Sequence, residues 1–437
     1  MAENLLVLAI LLFSLALTAQ AVFTLMLMLY TWALPDRLRQ ASSPEAYAPP
    51  QLSFTAILPA RHEQDVIAQT IQRVWETRYP HELIEVVVVC EAGDRATIAE
   101  AQRAIDAIGH PNLRVVTFDG QPINKPRGLN VAFHETRNDV VTIFDAEDDV
   151  HPEMFWIVNT IMSNEDAGIV QAGVQLMDFR SRWFSVHNVL EYFFWFKSRL
   201  HFHARIGMVP LGGNTVFVRR PLLQAVGGWD EHCLTEDADI GLRLSALNNR
   251  IAVTYDARHT TREETPPTLG SFVRQRTRWN QGFLQILRKG TWHDLPTPGQ
   301  RLLAIYTLAF PFIQAVVGVL WLPALLAMFF LEMPVVVAML SLLPLYALGF
   351  QYITNVVGLF EFASTYGMRV TLRDLAILTA GFLPYQVLLS AGAVRAVYRE
   401  LRGLKNWEKT AHTGAHRGAR DPLPARTNRT RPALRGD

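Results

Sequence analysis

Four acidic residues crowd a short segment, residues 145–149, directly after the apolar run 140–144. Carboxylates packed this closely repel one another unless a cation lies among them. Mg²⁺ and Mn²⁺ prefer oxygen ligands and commonly bridge protein carboxylates to phosphate groups. The segment therefore suits a divalent metal, although a solvated acidic turn before a helix starting near Pro152 explains it equally well.

A second acidic group, Glu236, Asp237 and Asp239, follows Thr235 at a predicted junction between a loop and a helix. A carboxylate in such a position can act as a general base that removes a proton from a hydroxyl group. Acidic residues are also common at helix N-termini, where they interact favourably with the helix dipole. The pattern alone leaves a catalytic and a structural interpretation open.

Two cations, Lys125 and Arg127, stand at a predicted helix start within residues 124–130. This placement suits phosphate binding, because the positive charges add to the N–H groups of the helix N-terminus. A basic turn on the surface is the alternative.

A predicted helix over residues 269–289 places Gln275, Arg278 and Trp279 on one face, because they are three and four positions apart. An arginine beside an exposed tryptophan suits a diphosphate group and a stacked sugar ring. An amphipathic helix lying on a membrane would carry similar residues.

Two further loops could contact a nucleotide. Glu91 or Asp94 could accept hydrogen bonds from a ribose or a base, and Asp94 could equally be the N-cap of a helix over residues 95–108. Residues 59–63 could shape a nucleotide pocket or simply precede the next helix.

An alternating pattern of strands and helices must position these loops. Predicted strands cover residues 54–58, 85–90, 113–118 and 140–144, and predicted helices cover residues 67–75, 95–108 and 128–136. This order predicts an α/β domain with a mostly parallel sheet. Because ligands bind beyond the carboxyl ends of such strands, the loops after residues 58, 90 and 144 are expected to form the site.

Apolar segments flank this domain, and the first is residues 5–34, which contain no charged residue. The segment is long enough to cross a bilayer as a helix. A cleaved signal peptide is the alternative, but no Lys or Arg precedes the apolar run, which favours an uncleaved anchor. Arg37 and Arg39 then place the following domain in the cytoplasm by the positive-inside rule.

Three apolar stretches follow the domain. Residues 302–331 and 334–360 predict a pair of membrane helices, whereas Gly381 and Pro384 interrupt the third stretch, residues 375–394. Residues 395–437 carry eleven Lys and Arg against four acids, so a third span would place this basic tail outside. A re-entrant or interfacial third segment with a cytoplasmic tail is therefore favoured.

The composition excludes several classes of protein. Half of the 437 residues are hydrophobic and the formal net charge is +1, which excludes a disordered protein and a globally basic nucleic-acid binder. Two cysteines exclude a disulfide framework and a cysteine-rich zinc site. No nucleic-acid partner is therefore expected.

Taken in order, the motifs resemble those of the membrane-bound family 2 glycosyltransferases, the group that contains cellulose, hyaluronan and chitooligosaccharide synthases. The resemblance covers residues 53–290 and the arrangement of flanking membrane segments. The matching motifs are residues 59–63, Glu91 with Asp94, residues 125–130, Asp145 with Glu147, residues 235–237 and residues 275–279.

The resemblance implies a GT-A fold, an α/β architecture with a mostly parallel sheet, flanked by one N-terminal and two to three C-terminal transmembrane helices and by interfacial helices. It also implies a reaction that inverts the anomeric carbon. Asp237 would be the catalytic base, Asp145 and Glu147 would bind Mg²⁺ or Mn²⁺, and Trp279, Glu236 and Gly213 would contact the acceptor. The implied donor-binding residues are Pro59, Glu63, Glu91, Asp94, Lys125, Asn130, Asp145, Gln275, Arg276 and Arg278.

Two positions depart from the commoner family pattern. Glu91 follows Cys90 where paired aspartates are usual, which puts the nucleoside contacts in doubt. Glu147 stands where the metal motif usually has aspartate, so Asp148 or Asp149 could share the metal role.

The predicted organisation is an N-terminal transmembrane anchor (1–35), a cytoplasmic GT-A domain (36–268), an interfacial helix region (269–300), C-terminal transmembrane or re-entrant segments (301–398) and a basic cytoplasmic tail (399–437). Within the tail, Trp407, Lys409, Thr410 and His412 resemble the gating segments that related synthases fold over the nucleotide. The expected location is the inner cell membrane, with several spans.

Three functions follow from these expectations. The first is a processive synthase that extends a polysaccharide from a nucleotide sugar, with a UDP-sugar as the implied donor. The second is transfer of a single sugar to a membrane lipid. The third is a nucleotide-sugar sensor or scaffold without turnover, which the complete set of acids and arginines disfavours.

Overall fold

A computed structural model of the protein describes residues 2–404, in which the central element is a sheet of seven strands. The strands, including two that form a separate small sheet, are β1 (Phe54–Ala60), β2 (Ile84–Glu91), β3 (Leu113–Phe118), β4 (Val140–Ile143), β5 (Ile169–Ala172), β6 (Val174–Leu176), β7 (Val216–Arg219), β8 (Ile251–Thr254) and β9 (Thr261–Glu263). The order in the large sheet is β3-β2-β1-β4-β7-β5-β8, and β6 pairs with β9.

The large sheet is mostly parallel, as the sequence predicts. Strands β1 to β4 run parallel to one another, β5 is parallel to β8, and only β7 runs antiparallel, to both β4 and β5. The loops that follow the carboxyl ends of β1, β2, β3 and β4 therefore lie at one edge of the sheet.

Helices cover both faces of the sheet and extend beyond it. They are α1 (Ala2–Leu29), α2 (Pro35–Ala41), α3 (Ile67–Trp75), α4 (Arg95–Ile108), α5 (Lys125–His134), α6 (Met154–Asn164), α7 (Ser185–Phe194), α8 (Leu200–Ile206), α9 (Arg220–Val226), α10 (Glu236–Ala246), α11 (Leu269–Lys289), α12 (Pro298–Ala327), α13 (Val335–Ser341), α14 (Leu343–Thr365) and α15 (Leu372–Leu401). A π-helical turn, Trp195–Arg199, joins α7 to α8, and short 3-10 turns cover His81–Leu83 and Thr291–Asp294.

The valine run in β2 shows why this segment forms a central strand. Successive side chains of a strand point to opposite faces, and here both faces are buried. Val86 and Val88 pack in the cluster that contains α3, whereas Val87 and Val89 pack in the cluster that contains α5. Each buried valine removes enough apolar surface from water to contribute about 1.5–3 kcal/mol.

Helix α5 begins three residues earlier than the sequence predicts, and a cap explains the difference. The Asn124 side chain accepts a hydrogen bond from the Arg127 N–H at 3.1 Å. Pro126 occupies a first-turn position, where its missing N–H costs nothing. Lys125 is therefore the first residue of the helix, at the edge where the loops meet.

Four helices, α1, α12, the α13–α14 pair and α15, are long and apolar enough to cross a membrane by length and composition. The predicted interruption of the last stretch is wrong, because α15 is continuous through Gly381 and Pro384. Gly381 has a packing role instead: a Cβ there would lie 2.6 Å from the His187 Nε2 atom of α7.

Both ends of α15 contact the sheet domain and its attached helices. Near its start, Asp374 pairs with Arg180 at 2.8 Å, and near its end Glu400 pairs with Arg288 of α11 at 2.8 Å. The re-entrant or interfacial placement of this stretch stays a prediction. The cytoplasmic location of the domain and tail stays a prediction, and the proposed gating segment, residues 407–412, lies outside the described residues.

Candidate active site

A cleft of about 430 Å³ lies at the edge of the sheet where the carboxyl ends of the parallel strands meet. Most of the residues predicted from the sequence line it. They are Pro59, Glu63, Lys125, Asp145, Glu147, Gly213, Glu236, Asp237, Gln275, Arg276, Arg278 and Trp279. Residues more than two hundred positions apart in the chain thus surround one volume that could hold a small ligand.

Lys125 and Asp145 form an ion pair between the first turn of α5 and the loop after β4. The Lys125 Nζ atom lies 2.5 Å from Asp145 and also donates to the Gly213 carbonyl at 3.0 Å. Burial lowers the pKa of Lys125, but the nearby carboxylates of Asp145, Glu236 and Asp237 raise it by a larger amount. The pKa of Lys125 is therefore above its usual value. The cleft therefore holds a permanent positive charge among carboxylates.

Glu236 and Asp237 occupy the first turn of α10. Asp237 is partly exposed to the cleft, whereas Glu236 is buried. Burial and the neighbouring Asp237 raise the pKa of Glu236 to about 7. Burial also raises the pKa of Asp237, although the Ala238 N–H, Lys125 and Arg278 act in the opposite direction.

Gly213 leaves the space that brings Lys125 and Asp237 together. A Cβ at this position would lie 3.1 Å from the Asp237 Oδ2 atom and 3.4 Å from the Lys125 Nζ atom. The glycine thus keeps the approach to the carboxylate open, and its predicted contact with an acceptor stays a prediction.

In the acidic loop after β4, two carboxylates contact other protein groups and two line the cleft. Asp148 is fully buried, where it accepts hydrogen bonds from the Asp145 N–H at 2.8 Å and from Asn214 at 2.9 Å. Burial and the nearby Glu263 raise the pKa of Asp148 well above its usual value. Asp149 pairs with Arg73 at 3.2 Å. Asp148 and Asp149 are therefore engaged in holding the loop, which leaves Asp145 and Glu147 on the cleft.

Those two carboxylates are the only predicted metal ligands that line the cleft. Within residues 2–404, the structure shows no group of three or more His, Cys, Asp or Glu side chains arranged to hold a metal. Two carboxylates nevertheless fit Mg²⁺ or Mn²⁺, which usually keep water and take further oxygen ligands from substrate phosphates. Metal binding at Asp145 and Glu147 stays a prediction.

Glu91 and Asp94 do not line the cleft, and their contacts support the N-cap interpretation. Asp94 caps α4 through the Thr97 N–H and accepts the His62 N–H at 2.5 Å. Glu91 accepts a hydrogen bond from Arg61 at 2.8 Å. Both residues position the loop after β1, and a direct nucleoside contact stays a prediction.

Asn130 also lies off the cleft, and its amide fixes a neighbouring loop. It donates to the Trp229 carbonyl at 2.9 Å and accepts the Trp229 N–H at 2.9 Å. A further contact joins it to Glu231 at 3.1 Å. Both ends of the Asn130 amide therefore hold the chain before α10, and a contact between Asn130 and the donor stays a prediction.

Arg276 is buried beneath the surface of α11 that faces the cleft. It donates to Glu191 at 2.7 Å and to Asn188 at 2.6 Å, and its guanidinium lies 4.6 Å from the centroid of the Trp279 ring. Glu191 in turn accepts a hydrogen bond from Tyr385 of α15 at 2.6 Å. Arg276 thus ties α7 to α11 and orients Trp279, while donor contact through Arg276 stays a prediction.

Helix α11 also holds the loop that carries Asp237. Gly282 packs so closely on this loop that a Cβ there would lie 2.1 Å from the Thr235 Oγ1 atom. Gln285, one turn further along, accepts the Leu234 N–H at 2.9 Å. The sequence analysis missed both residues because their partners are about fifty positions away in the chain.

Replacing Gly282 with alanine is expected to lower kcat by about a factor of 10 to 100, because an added methyl group must displace Thr235 and with it Asp237. The measurement is nucleotide release under saturating donor, together with the melting temperature. Gly349→Ala is the matched control, since a Cβ at Gly349 meets nothing within 4 Å. Normal kcat in Gly282→Ala would contradict the positioning role.

Comparison with known proteins agrees with this geometry. The family model described as glycosyltransferase like family 2 matches residues 49–282, which is more than half of the chain. The chain therefore belongs to this family of transferases, and the resemblance stated from the motifs is confirmed.

Similar proteins are named for different products, a glycolipid and a polysaccharide. The chain is 28% identical over 242 residues to a beta-monoglucosyldiacylglycerol synthase from Trichormus variabilis, covering 54% of this chain and 50% of the relative. It is 22% identical over 267 residues to a poly-beta-1,6-N-acetyl-D-glucosamine synthase from Staphylococcus epidermidis, covering 60% and 61%. The chain spans about half the length of the first curated relatives that it matches.

A solved mannosyltransferase from Pyrobaculum calidifontis, in complex with GDP-Man and Mn²⁺, has a similar structure. The TM-score is 0.55 at 19% identity, and the match covers 90% of this chain and 99% of that protein. The predicted fold, an α/β domain with a mostly parallel sheet and flanking apolar helices, is therefore confirmed.

Proposed function

We propose that the protein transfers one sugar from a nucleotide-diphosphate sugar to the hydroxyl group of a membrane lipid. One observation carries this proposal: the cleft that contains Asp237 extends to Thr307, Phe310 and Gln314 of α12 and to Leu389 of α15. These two helices are candidate membrane spans by composition. A lipid that stays in the bilayer could therefore present its head group to the carboxylate.

The number of membrane helices at the cleft favours a lipid over a long polymer. Among residues 2–404, the residues that line the cleft come from α12 and α15 but from none of the other candidate spans. A polymer channel would need to be enclosed by a bundle of helices, whereas a lipid can enter from one side. The volume of about 430 Å³ also lies within the range of single small-ligand sites.

The proposed reaction is a single displacement at the anomeric carbon. Asp237 would accept the proton of the acceptor hydroxyl as the oxygen attacks, and the bond from the anomeric carbon to the diphosphate oxygen would break. The nucleoside diphosphate would leave with the bonding electrons. Lys125 and Arg278 lie near enough to Asp237 to lower its pKa, and they could stabilise the developing negative charge of the leaving group.

Asp145 and Glu147 would hold a divalent metal in this proposal. Bound there, Mg²⁺ or Mn²⁺ would neutralise charge on the diphosphate. Lys125 contacts the Asp145 carboxylate at 2.5 Å and holds it at the cleft. A UDP-sugar is the donor implied by the motifs, and a screen of several nucleotide sugars would identify the nucleotide and the sugar.

The pH dependence should reveal the buried carboxylate pair. Burial raises the pKa of Glu236 to about 7 and also raises the pKa of Asp237, so the pair takes up protons at a higher pH than ordinary carboxyl groups do. We therefore expect kcat/KM to decrease as the pH falls below about 7. The apparent pKa values of this decrease belong to Glu236 and Asp237 together, because the two groups are coupled. In Glu236→Gln, loss of the neighbouring charge should move this acid limb to lower pH, and an unchanged limb would contradict the coupling.

Polysaccharide synthesis is the second candidate function. Trp279 lines the cleft beside Gln275, where an aromatic ring could stack on a growing sugar chain. Sizing the product formed by purified protein in lipid nanodiscs separates the two functions. A single glycolipid would support the proposed function, and a ladder of oligosaccharides would replace it with the second candidate.

A further inference from the structure

Arg199 ends the π-helical turn between α7 and α8 and lines the end of the cleft nearest to the apolar helices. Its guanidinium lies between two aromatic rings, 5.4 Å from the centroid of Trp195 and 5.6 Å from that of Phe310 in α12. π-helical turns are rare and occur often at functional sites. The turn thus presents a cation to the part of the cleft that borders a candidate membrane span.

This cation differs from the others whose partners are visible around the cleft. Lys125 pairs with Asp145, Arg276 pairs with Glu191, and Arg61 pairs with Glu91. For Arg199, the part of the chain from residue 2 to residue 404 offers no carboxylate in an ion pair, and its Nε atom is buried without a hydrogen-bond partner. Aromatic rings attract a guanidinium but do not accept its N–H groups as a carboxylate or phosphate does.

We propose that Arg199 binds a phosphate group of the lipid acceptor, so that the acceptor is a phospholipid with a free hydroxyl group. The proposal rests on the proposed function and deepens it. A guanidinium matches the geometry of phosphate oxygens and is always charged, which makes it suited to this ligand in an apolar setting. The flanking rings of Trp195 and Phe310 would keep water away from the pair.

The Asp237 carboxylate, which lines the same cleft, indicates that the phosphate group is not the nucleophile. A phosphate oxygen acting as the nucleophile would need no base, because it is already ionised. Asp237 lines the same cleft and is placed to accept a proton from a hydroxyl group. The phosphate at Arg199 is therefore an anchor, and a separate hydroxyl group of the same lipid attacks the sugar.

Helix α12 supplies a polar route between these groups and the bilayer. Thr307, Phe310, Pro311 and Gln314 follow the spacing i, i+3, i+4 and i+7 of one helix face, and all four line the cleft. Two of them offer hydrogen-bonding groups, and two offer apolar surface. Such a face suits a head group on one side and the start of an acyl chain on the other.

The test uses the full chain in phosphatidylcholine nanodiscs, with phosphatidylglycerol or diacylglycerol added as the acceptor. Arg199→Gln is expected to raise the KM for phosphatidylglycerol about tenfold or more, while the KM for the nucleotide sugar and for diacylglycerol stays nearly unchanged. Arg199→Lys should restore part of the loss. Arg205→Gln is the matched control, because Arg205 is exposed on α8, donates to the Tyr30 hydroxyl at 3.3 Å and does not line the cleft.

Several outcomes would overturn the proposal. An equal loss with both lipids would show a general structural role, and a raised KM for the nucleotide sugar would assign Arg199 to the donor. If millimolar inorganic phosphate removed the preference for phosphatidylglycerol, the site would bind free phosphate and the lipid assignment would fall.

A binding measurement separates failure of this proposal from failure of the proposed function. Native mass spectrometry of the purified protein with dioctanoyl-phosphatidylglycerol should show binding that Arg199→Gln weakens and Arg205→Gln does not. Arg199-dependent binding without any sugar transfer would support the phosphate site and contradict the proposed function. Sugar transfer to phosphatidylglycerol with binding that ignores Arg199 would leave the function and overturn the site.

Discussion

Replacing Asp237 with asparagine is expected to lower kcat/KM by about a factor of 10² to 10⁴, because asparagine cannot accept the proton of the acceptor hydroxyl. The change preserves the shape of the side chain and its hydrogen bond from the Ala238 N–H, which measures 2.8 Å. Lys125, Arg278 and Asp145 remain, so the affinity for the nucleotide sugar should change little. The effect should therefore appear in the chemical step.

Two measurements distinguish this expectation from a folding defect. Nucleotide release reports turnover, and isothermal titration with the nucleotide sugar reports binding. Asp106→Asn is a matched control, since Asp106 is exposed on α4, accepts a hydrogen bond from Gln102 at 2.7 Å and does not line the cleft. Turnover in Asp237→Asn close to that of the unaltered protein would remove Asp237 from the role of base.

Removing divalent metal is the change with the second largest expected effect. A chelator should lower kcat at least about a hundredfold, because the diphosphate would lose a cation that stabilises its developing charge. Added Mn²⁺ or Mg²⁺ should restore activity. Asp145→Asn should weaken this rescue and raise the metal concentration needed for half-maximal activity.

The loop after β4 supplies its own control for the metal experiment. Asp149 belongs to the same acidic segment but pairs with Arg73 and does not line the cleft. Asp149→Asn should therefore keep the metal requirement of the unaltered protein. Full activity in chelator, or equal effects of Asp145→Asn and Asp149→Asn, would contradict the assignment of Asp145 and Glu147.

Local patterns in the sequence were enough to predict the elements around the cleft. The bounds of α3, α4, β3 and α11 agree with the sequence prediction, since each has a clear apolar period, a cap or both. Thr268 and Ser271 form a capping box at the start of α11, for example. Because the alternating pattern predicted a mostly parallel sheet, the loops after β1 and β4 could also be placed at one edge of the sheet.

Contacts between distant segments could not be predicted in the same way. The role of Asp148 depends on Asn214, and Arg276 is held by Asn188 and Glu191, all of them more than sixty residues away in the chain. A single sequence shows that these residues are polar but not which of them meet. The sequence therefore identified the acids and arginines of the cleft but not which ones hold the structure.

The last apolar stretch shows a different kind of error. Gly381 and Pro384 predict a break when the helix is considered alone. In the structure Gly381 leaves room for the His187 ring of α7. Gly392 likewise allows α15 to pack closely on α11, because a Cβ at Gly392 would lie 2.9 Å from the Arg276 Cβ atom. The glycines of α15 thus serve close packing between helices, which the sequence of α15 alone does not reveal.

The anomeric configuration of the product tests the central claim most directly. With an α-configured nucleotide sugar and purified protein in nanodiscs, one carboxylate base and a single displacement predict a β-glycoside of the lipid. The signal of the anomeric proton in the nuclear magnetic resonance spectrum distinguishes the two configurations. A β-linked glycolipid is the result we expect, and an α-linked product, or donor hydrolysis without transfer, would contradict the account.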